Sequence, residues 1–193
     1  YRDSMLSSAL RINGTALELH KDFQPQLNNY SANMRFSEIV FAGYGIVDTG
    51  TKRDDYKDLK VAGKLVMIVD GTPADYKPSQ LGFQNPGSVF GKLNAAMNKG
   101  AAAVLIVFGN YPRKSQTTTS NWSVSGYRAA QSPFSFTIST DAAAKIMGPD
   151  AEKLMDKMKA GIYIPKVYPA EIDLEYAKKS MMTQVSNLIG MVE

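Results

Sequence analysis

The chain has 193 residues, 44% of them hydrophobic and 21% charged, with no cysteine and a single histidine. That composition suits an ordinary folded domain and excludes a disordered chain, a collagen-like repeat and a disulfide scaffold. The net charge is only +4, and bases alternate with acids, as in Lys52-Arg53-Asp54-Asp55-Tyr56-Lys57-Asp58. This is unlike the one-sided basic face of a nucleic-acid binder. No apolar run approaches the roughly 20 residues of a membrane span.

The chain begins Tyr1-Arg2-Asp3-Ser4, with no initiator methionine and no apolar core of a signal peptide, so we expect it to be excised from something longer. Residues 1–35 read as mixed and polar, with a short strand at 15–20. Residues 36–46 (FSEIVFAGYGI) predict a strand that runs into a glycine turn. A polar connector follows, then a continuous apolar run at 64–69, which suits a strand buried on both faces.

After a Gly/Pro/Asn/Ser-rich loop at 70–87, Phe90, Leu93, Ala96 and Met97 fall at helical offsets over 88–99. Ser88 stands at the N-cap and Gly100 just past the end. Residues 101–108 predict a second buried strand. Residues 64–108 thus form strand, helix, strand: one crossover within a parallel pair. Residues 109–133 make a long polar loop that carries Tyr111, Arg113, Trp122, Tyr127 and Arg128, and loops of that length are usually functional. A strand at 134–138 follows, then a helix at 141–147. A second helix at 151–159 is capped by Asp150 and ended by Gly161. The last elements are a half-exposed antiparallel strand at 171–176 and a final strand at 183–192. The sum is an α/β chain, mostly β with few helices.

Few residues offer chemistry. Absent cysteines remove thiolate ligands and nucleophiles, and one histidine cannot build a site that needs two imidazoles. No G-x-S-x-G elbow is present, and His20 reads as an exposed or satisfied side chain. Gly43-Tyr44-Gly45-Ile46-Val47-Asp48 has two glycines of a dinucleotide fingerprint, but Asp48 replaces the third and no helical pattern follows. Gly87-Ser88-Val89-Phe90-Gly91-Lys92 is one residue short of a phosphate loop, and Leu93 replaces its hydroxyl. The pairs Asp54/Asp55 and Asp150/Glu152 read as solvated charge and caps. N-x-S/T sequons stand at Asn13, Asn29 and Asn121. No catalytic residue and no metal ligand is assigned.

The segment Phe41-Ala42-Gly43-Tyr44-Gly45-Ile46 resembles the F-x-G-Y-G-I strand of protease-associated domains. Residues 55–66 (DYKDLKVAGKLV) resemble their D-Y-x-x-x-x-V-x-G-K-I-V segment. Residues 92–106, with Ala95-Ala96, Lys99-Gly100 and Ala101-Ala102-Ala103-Val104-Leu105, resemble their K-x-x-x-A-x-x-x-G-A-x-A-V-L helix and strand. Together these motifs cover about residues 36–110. Residues 186–193 (SNLIGMVE) resemble the strand that opens the catalytic core of zinc-dependent aminopeptidases of the glutamate carboxypeptidase and transferrin receptor clan.

The resemblance implies a swivelling β/β/α fold. It implies a lead-in segment at 1–35, a domain core at 36–165 and return strands at 166–193. It further implies a non-catalytic domain of a secreted zinc aminopeptidase, lying as a lid or flank of the active site and acting in substrate access, substrate selection or protein interaction. Two zinc ions are expected in the catalytic domain, none in this chain. The implied partners are that catalytic domain and peptide substrate, in an extracytoplasmic location, with no membrane span and no nucleic acid. A stand-alone protein- or carbohydrate-binding module of the same fold is the alternative. Tyr111, Arg113, Trp122, Tyr127 and Arg128 are the candidate contacts, since Trp, Tyr and Arg dominate recognition surfaces; a loop that simply packs down is the competing reading.

Overall fold

The computed structural model describes residues 2–111, 122–124 and 133–182. In chain order its strands are β1 (Arg2–Ile12), β2 (Thr15–Ala16), β3 (Phe23–Pro25), β4 (Ala32–Phe41), β5 (Val47–Asp48), β6 (Arg53–Asp54), β7 (Leu65–Val69), β8 (Ala103–Phe108), β9 (Trp122–Val124), β10 (Phe134–Ser139) and β11 (Lys166–Met181). The helices are α1 (Val89–Asn98), α2 (Thr140–Met147) and α3 (Leu154–Lys159). One mixed sheet runs β2-β1-β11-β4-β7-β8-β10-β3, with β9 also on β1, and β5 and β6 form a separate hairpin. The fold is α/β, mostly β. None of the described helices is long and apolar enough to cross a membrane.

β4, β7, β8 and β10 are mutually parallel. β7 and β8 are buried at every position, which explains their unbroken apolar runs. Alternate residues serve two cores. Leu65, Met67, Leu105 and Val107 face α2 and α3, and Val66, Ile68, Val104 and Ile106 face α1. β4 shows where the second layer begins. Its first seven residues alternate, and its last three, which pair with β7, are wholly buried.

The predicted crossover forms as β7–α1–β8. The Ser88 hydroxyl accepts the Gly91 N–H at 3.0 Å, and Gly100 ends the turn at φ +83°. The helix face differs from the expected one. Phe90 is 59% exposed and Met97 lies at the surface, while Lys92, Leu93, Ala95 and Ala96 point inward. The Lys92 ammonium ends beneath the sheet, donating to the carbonyls of Val69 (2.9 Å) and Gly71, 5.3 Å from the Tyr44 ring centre. It ties α1 to the start of the 70–87 loop. Burial pulls its pKa down to about 8, against the opposing pull of Asp70 and Asp55.

Several expectations are corrected. β1 is an eleven-residue strand within the stretch read as mixed and polar. A bulge between Met5 and Ser7 breaks its period-two pattern. The strand expected at 15–20 is only Thr15–Ala16, and the chain then turns at His20 with φ +68°. The strand placed at 36–46 begins at Ala32 and ends at Phe41. Asp150 does not cap α3, which starts after Lys153; it lies in a 3-10 turn, Gly148–Ala151. The Asn29 sequon is closed to modification, because its side chain is buried and bonded both ways to the Ser135 backbone. Asn13, in contrast, sits in an exposed turn. The half-exposed antiparallel strand expected at 171–176 does form, as part of β11, antiparallel to β1 and β4. The final strand at 183–192 lies outside the described residues.

Lys92 sets a pH test. Its folded pKa lies below the ordinary lysine value, so the unfolded chain binds more protons between them, and stability rises with pH through that window. Urea midpoints should therefore increase from pH 8 to pH 10 in the native chain. In Lys92→Met the increase should be absent.

Candidate functional site

The turn after β4 explains its own sequence. The Ala42 N–H bonds to the Met67 carbonyl, and the Val69 N–H to the Gly43 carbonyl (2.8 Å), so the turn stays stitched to β7. Gly43 and Gly45 both have positive φ, and neither position has room for a side chain. A Cβ on Gly43 would lie 2.1 Å from the Tyr163 ring, and one on Gly45 would lie 2.6 Å from Ile68. The dinucleotide reading is thus closed. These glycines admit an aromatic ring and an isoleucine, and the chain next forms the β5–β6 hairpin rather than a helix.

Tyr163 comes from the connection between α3 and β11. Its ring meets Phe41 and Tyr44 edge-on, with centroids 6.3 and 6.0 Å apart. The Arg53 guanidinium donates to its hydroxyl at 2.9 Å and pairs with Asp55 at 2.8 Å. Asp55 corrects the solvated-charge expectation: its side chain is only 7% exposed. Burial pushes its pKa up, while the Ile46 N–H and Arg53 pull the other way. Asp48 is buried too and accepts from the Tyr76 hydroxyl (2.7 Å), the Ser79 N–H (3.0 Å) and the Ser79 hydroxyl. Desolvation works against its charge, but these bonds, led by Ser79, hold its carboxyl well below the usual range. Two buried aspartates therefore brace the loop at 70–87 and the connection at 162–165.

An apolar groove of about 320 Å³ opens beside this brace. Phe41, at the carboxyl end of β4, lines it with Met147 at the end of α2, Leu154 of α3, and Ile162, Tyr163 and Ile164 of the connection. The location has a topological cause. After β10 the chain returns through α2 and α3 to β11, on the far side of β4. A crevice at the carboxyl end of a parallel strand, where the chain changes direction across the sheet, is a favoured ligand position. Ile162 and Ile164 are largely exposed at its mouth. The rim is polar: the Asp150 carboxylate accepts from Lys166 and from the Tyr168 hydroxyl (2.9 Å). Those two bonds, Lys166 first, lower its pKa.

Of the candidate contact residues, Tyr111 is half-buried and packs on the α1 side of the sheet, opposite the groove. Burial pushes its pKa up to about 12, and its hydroxyl finds no partner among the described residues. The backbone at Trp122 pairs with Ser4 of β1. Arg113, Tyr127, Arg128 and the Trp122 side chain lie outside the described residues. His20 is exposed. No cluster of three or more His, Asp or Glu suited to a metal occurs among the described residues. With a single histidine in the chain, these residues do not fit a two-zinc site of the kind the resemblance implies for its catalytic domain. The groove went unread in the sequence because its walls come from four separated segments. Its only local sign is Ile162-Tyr163-Ile164-Pro165, an apolar run between a helix end and a strand.

Two substitutions test the brace. Gly43→Ala should expel the Tyr163 ring and reduce Tyr163 contacts in NMR spectra. Asp48→Ala should cost about 2–4 kcal/mol in chemical denaturation, the scale for removing a buried charged acceptor with several donors. The Asp48 pKa is depressed, so its stabilisation is complete above about pH 4, the ordinary carboxylate value. It is lost as the pH falls further, and the native and Asp48→Ala curves should converge in acid.

No family model and no curated protein sequence matches the chain. Among solved structures it is similar to BSAP, a zinc aminopeptidase from Bacillus subtilis, at 15% identity and a TM-score of 0.44. The match covers 92% of this chain and 32% of that enzyme, so the chain spans about a third of the enzyme's length.

Proposed function

We propose that this chain is a protease-associated domain of a zinc-dependent aminopeptidase. It is non-catalytic, and it lies as a lid or flank of the active site, where it helps admit and select peptide substrates. One observation carries the reading: the entry and exit strands lie side by side. β1 and β11 pair antiparallel along their length, with Arg2 opposite Met181. A domain inserted into a larger body needs its two ends adjacent, so that the host chain can leave and return at one point. On this reading residues 1–35 are the lead-in, 36–165 the core and 166–193 the return to the catalytic domain.

The motif residues support the same reading, because they hold structural posts. Gly43 and Gly45 admit Tyr163 and Ile68, and Lys92 fastens the crossover helix to the 70–87 loop. A braced domain of this kind contributes binding energy away from the reacting bond and excludes water when it closes over substrate. No step of the hydrolysis is assigned to residues of this chain. The zinc ions belong to the catalytic domain, and the location of the whole enzyme is extracytoplasmic.

The coding sequence beyond Glu193 provides the first test. It should encode a G-x-H-x-D-type segment, further acidic residues and a second histidine; a stop codon would leave a stand-alone binding module instead. In the full enzyme, deletion of residues 112–130 should lower kcat/KM for long peptides by about 10-fold, leaving dipeptides nearly unchanged, as loss of remote binding energy requires. Equal rates on every length would remove the 109–133 loop from substrate contact.

A further inference from the structure

The polar groups around the groove are already paired, with one exception. Asp150 holds Lys166 and the Tyr168 hydroxyl. The Tyr163 hydroxyl accepts from Arg53. Lys157 is different: its ammonium reaches only the backbone carbonyl of Asp150, at 3.5 Å, the outer limit of a hydrogen bond. It forms no close ion pair among the described residues, and its charge acts on the Asp150 carboxylate only at longer range, behind Lys166. With Lys166 and Asp150 cancelling, the groove mouth carries one net positive charge over an apolar floor.

From this charge pattern we propose that the groove binds the carboxyl-terminal residue of a peptide. A large apolar side chain would lie on Phe41, Met147 and Leu154, and the terminal carboxylate would lie on Lys157. The inference rests on the peptidase-accessory reading for its choice of a peptide. Three features select this ligand. The floor side chains, Phe41, Met147 and Leu154, carry no hydrogen-bonding N–H or O–H group, so the buried part must be apolar. Two lysines share the one Asp150 carboxylate at the mouth, and Lys157, which has no close ion pair of its own, calls for an anion at the end of the ligand rather than along it. The volume, about 320 Å³, is at the small end for ligand sites, which suits one or two residues better than a long acyl chain. The site would engage a peptide by its end, and a free terminus distinguishes cleaved or short peptides from the interior of a folded protein.

Amide NMR of the isotope-labelled chain tests this with N-acetyl-Leu-Phe, its carboxyl-terminal amide and decanoate. The free acid should shift the amides around Phe41, Met147 and Ile164 and bind about 10-fold more tightly than the amide, a difference of about 1.4 kcal/mol. Lys157→Met should abolish that discrimination and leave the amide's affinity unchanged, a pattern that loss of folding does not produce. Ile164→Ser, at a largely exposed position, should weaken both peptides together. Equal binding of acid and amide, or no groove shifts at about 10 mM ligand, the weak end of useful affinity, would overturn the proposal. Stronger shifts with decanoate than with the peptide would overturn the peptide assignment in favour of a free acyl carboxylate. None of these outcomes touches the domain reading, which stands or falls on the coding sequence beyond Glu193.

Discussion

β7 and β8 turn no face to water, and the rest of the structure answers that constraint. A strand with apolar side chains on both faces needs a layer on each. α1 covers one face of this sheet, and α2 with α3 covers the other. To supply both layers the chain leaves the sheet from β7 on one side and from β10 on the other. The second departure carries it back across the sheet to β11. The groove lies on that return path, so it is a consequence of burying the central strands rather than a separate feature.

Closing the return path requires one tight contact. The 162–165 connection must pass the end of β4 closely, and it does so by setting the Tyr163 ring against Gly43. The absent Cβ makes the approach possible. The Arg53–Asp55 pair then fixes the Tyr163 hydroxyl. Charges around this contact are buried in matched sets, which holds down the desolvation cost that an isolated ion would carry. Asp48 has its own donors, and Lys92 has two carbonyls and an aromatic face. The 162–165 connection, which lines the groove, is held by the Tyr163 ring and hydroxyl, and the 70–87 loop is held separately by Asp48.

The two edges of the molecule differ in character. At one side β3 is a three-residue strand on β10 that ends in Pro25, a short, proline-blunted edge. At the other side β1 and β11 form the longest pairing in the molecule, and Lys178 and Asp3 make a largely buried ion pair across it. The long β1–β11 pairing and the buried ion pair thus lie where the proposed host chain would enter and leave.

The central architecture was legible from sequence because its signals are local. The runs at 64–69 and 101–108, the Ser88 cap and the Gly100 terminator each act within a few residues, and the β7–α1–β8 unit formed as read. β1 was hidden because a bulge at Met5–Ser7 destroys the only periodicity that announces a strand. The inward face of α1 was misjudged because Lys92 looks polar in sequence, yet its ammonium is buried on the Val69 and Gly71 carbonyls. Asp55 looked solvated because Arg53, which shares its burial, is recognised as its partner only after the β5–β6 hairpin folds. Sequence by itself determined the α/β class, the parallel pair and the need for glycine after β4. Tertiary structure alone decided which ring those glycines admit, which carboxylates are buried and where the groove opens, because each depends on residues distant in sequence meeting at one place: Gly43 with Tyr163, Asp48 with Tyr76 and Ser79, Phe41 with Met147.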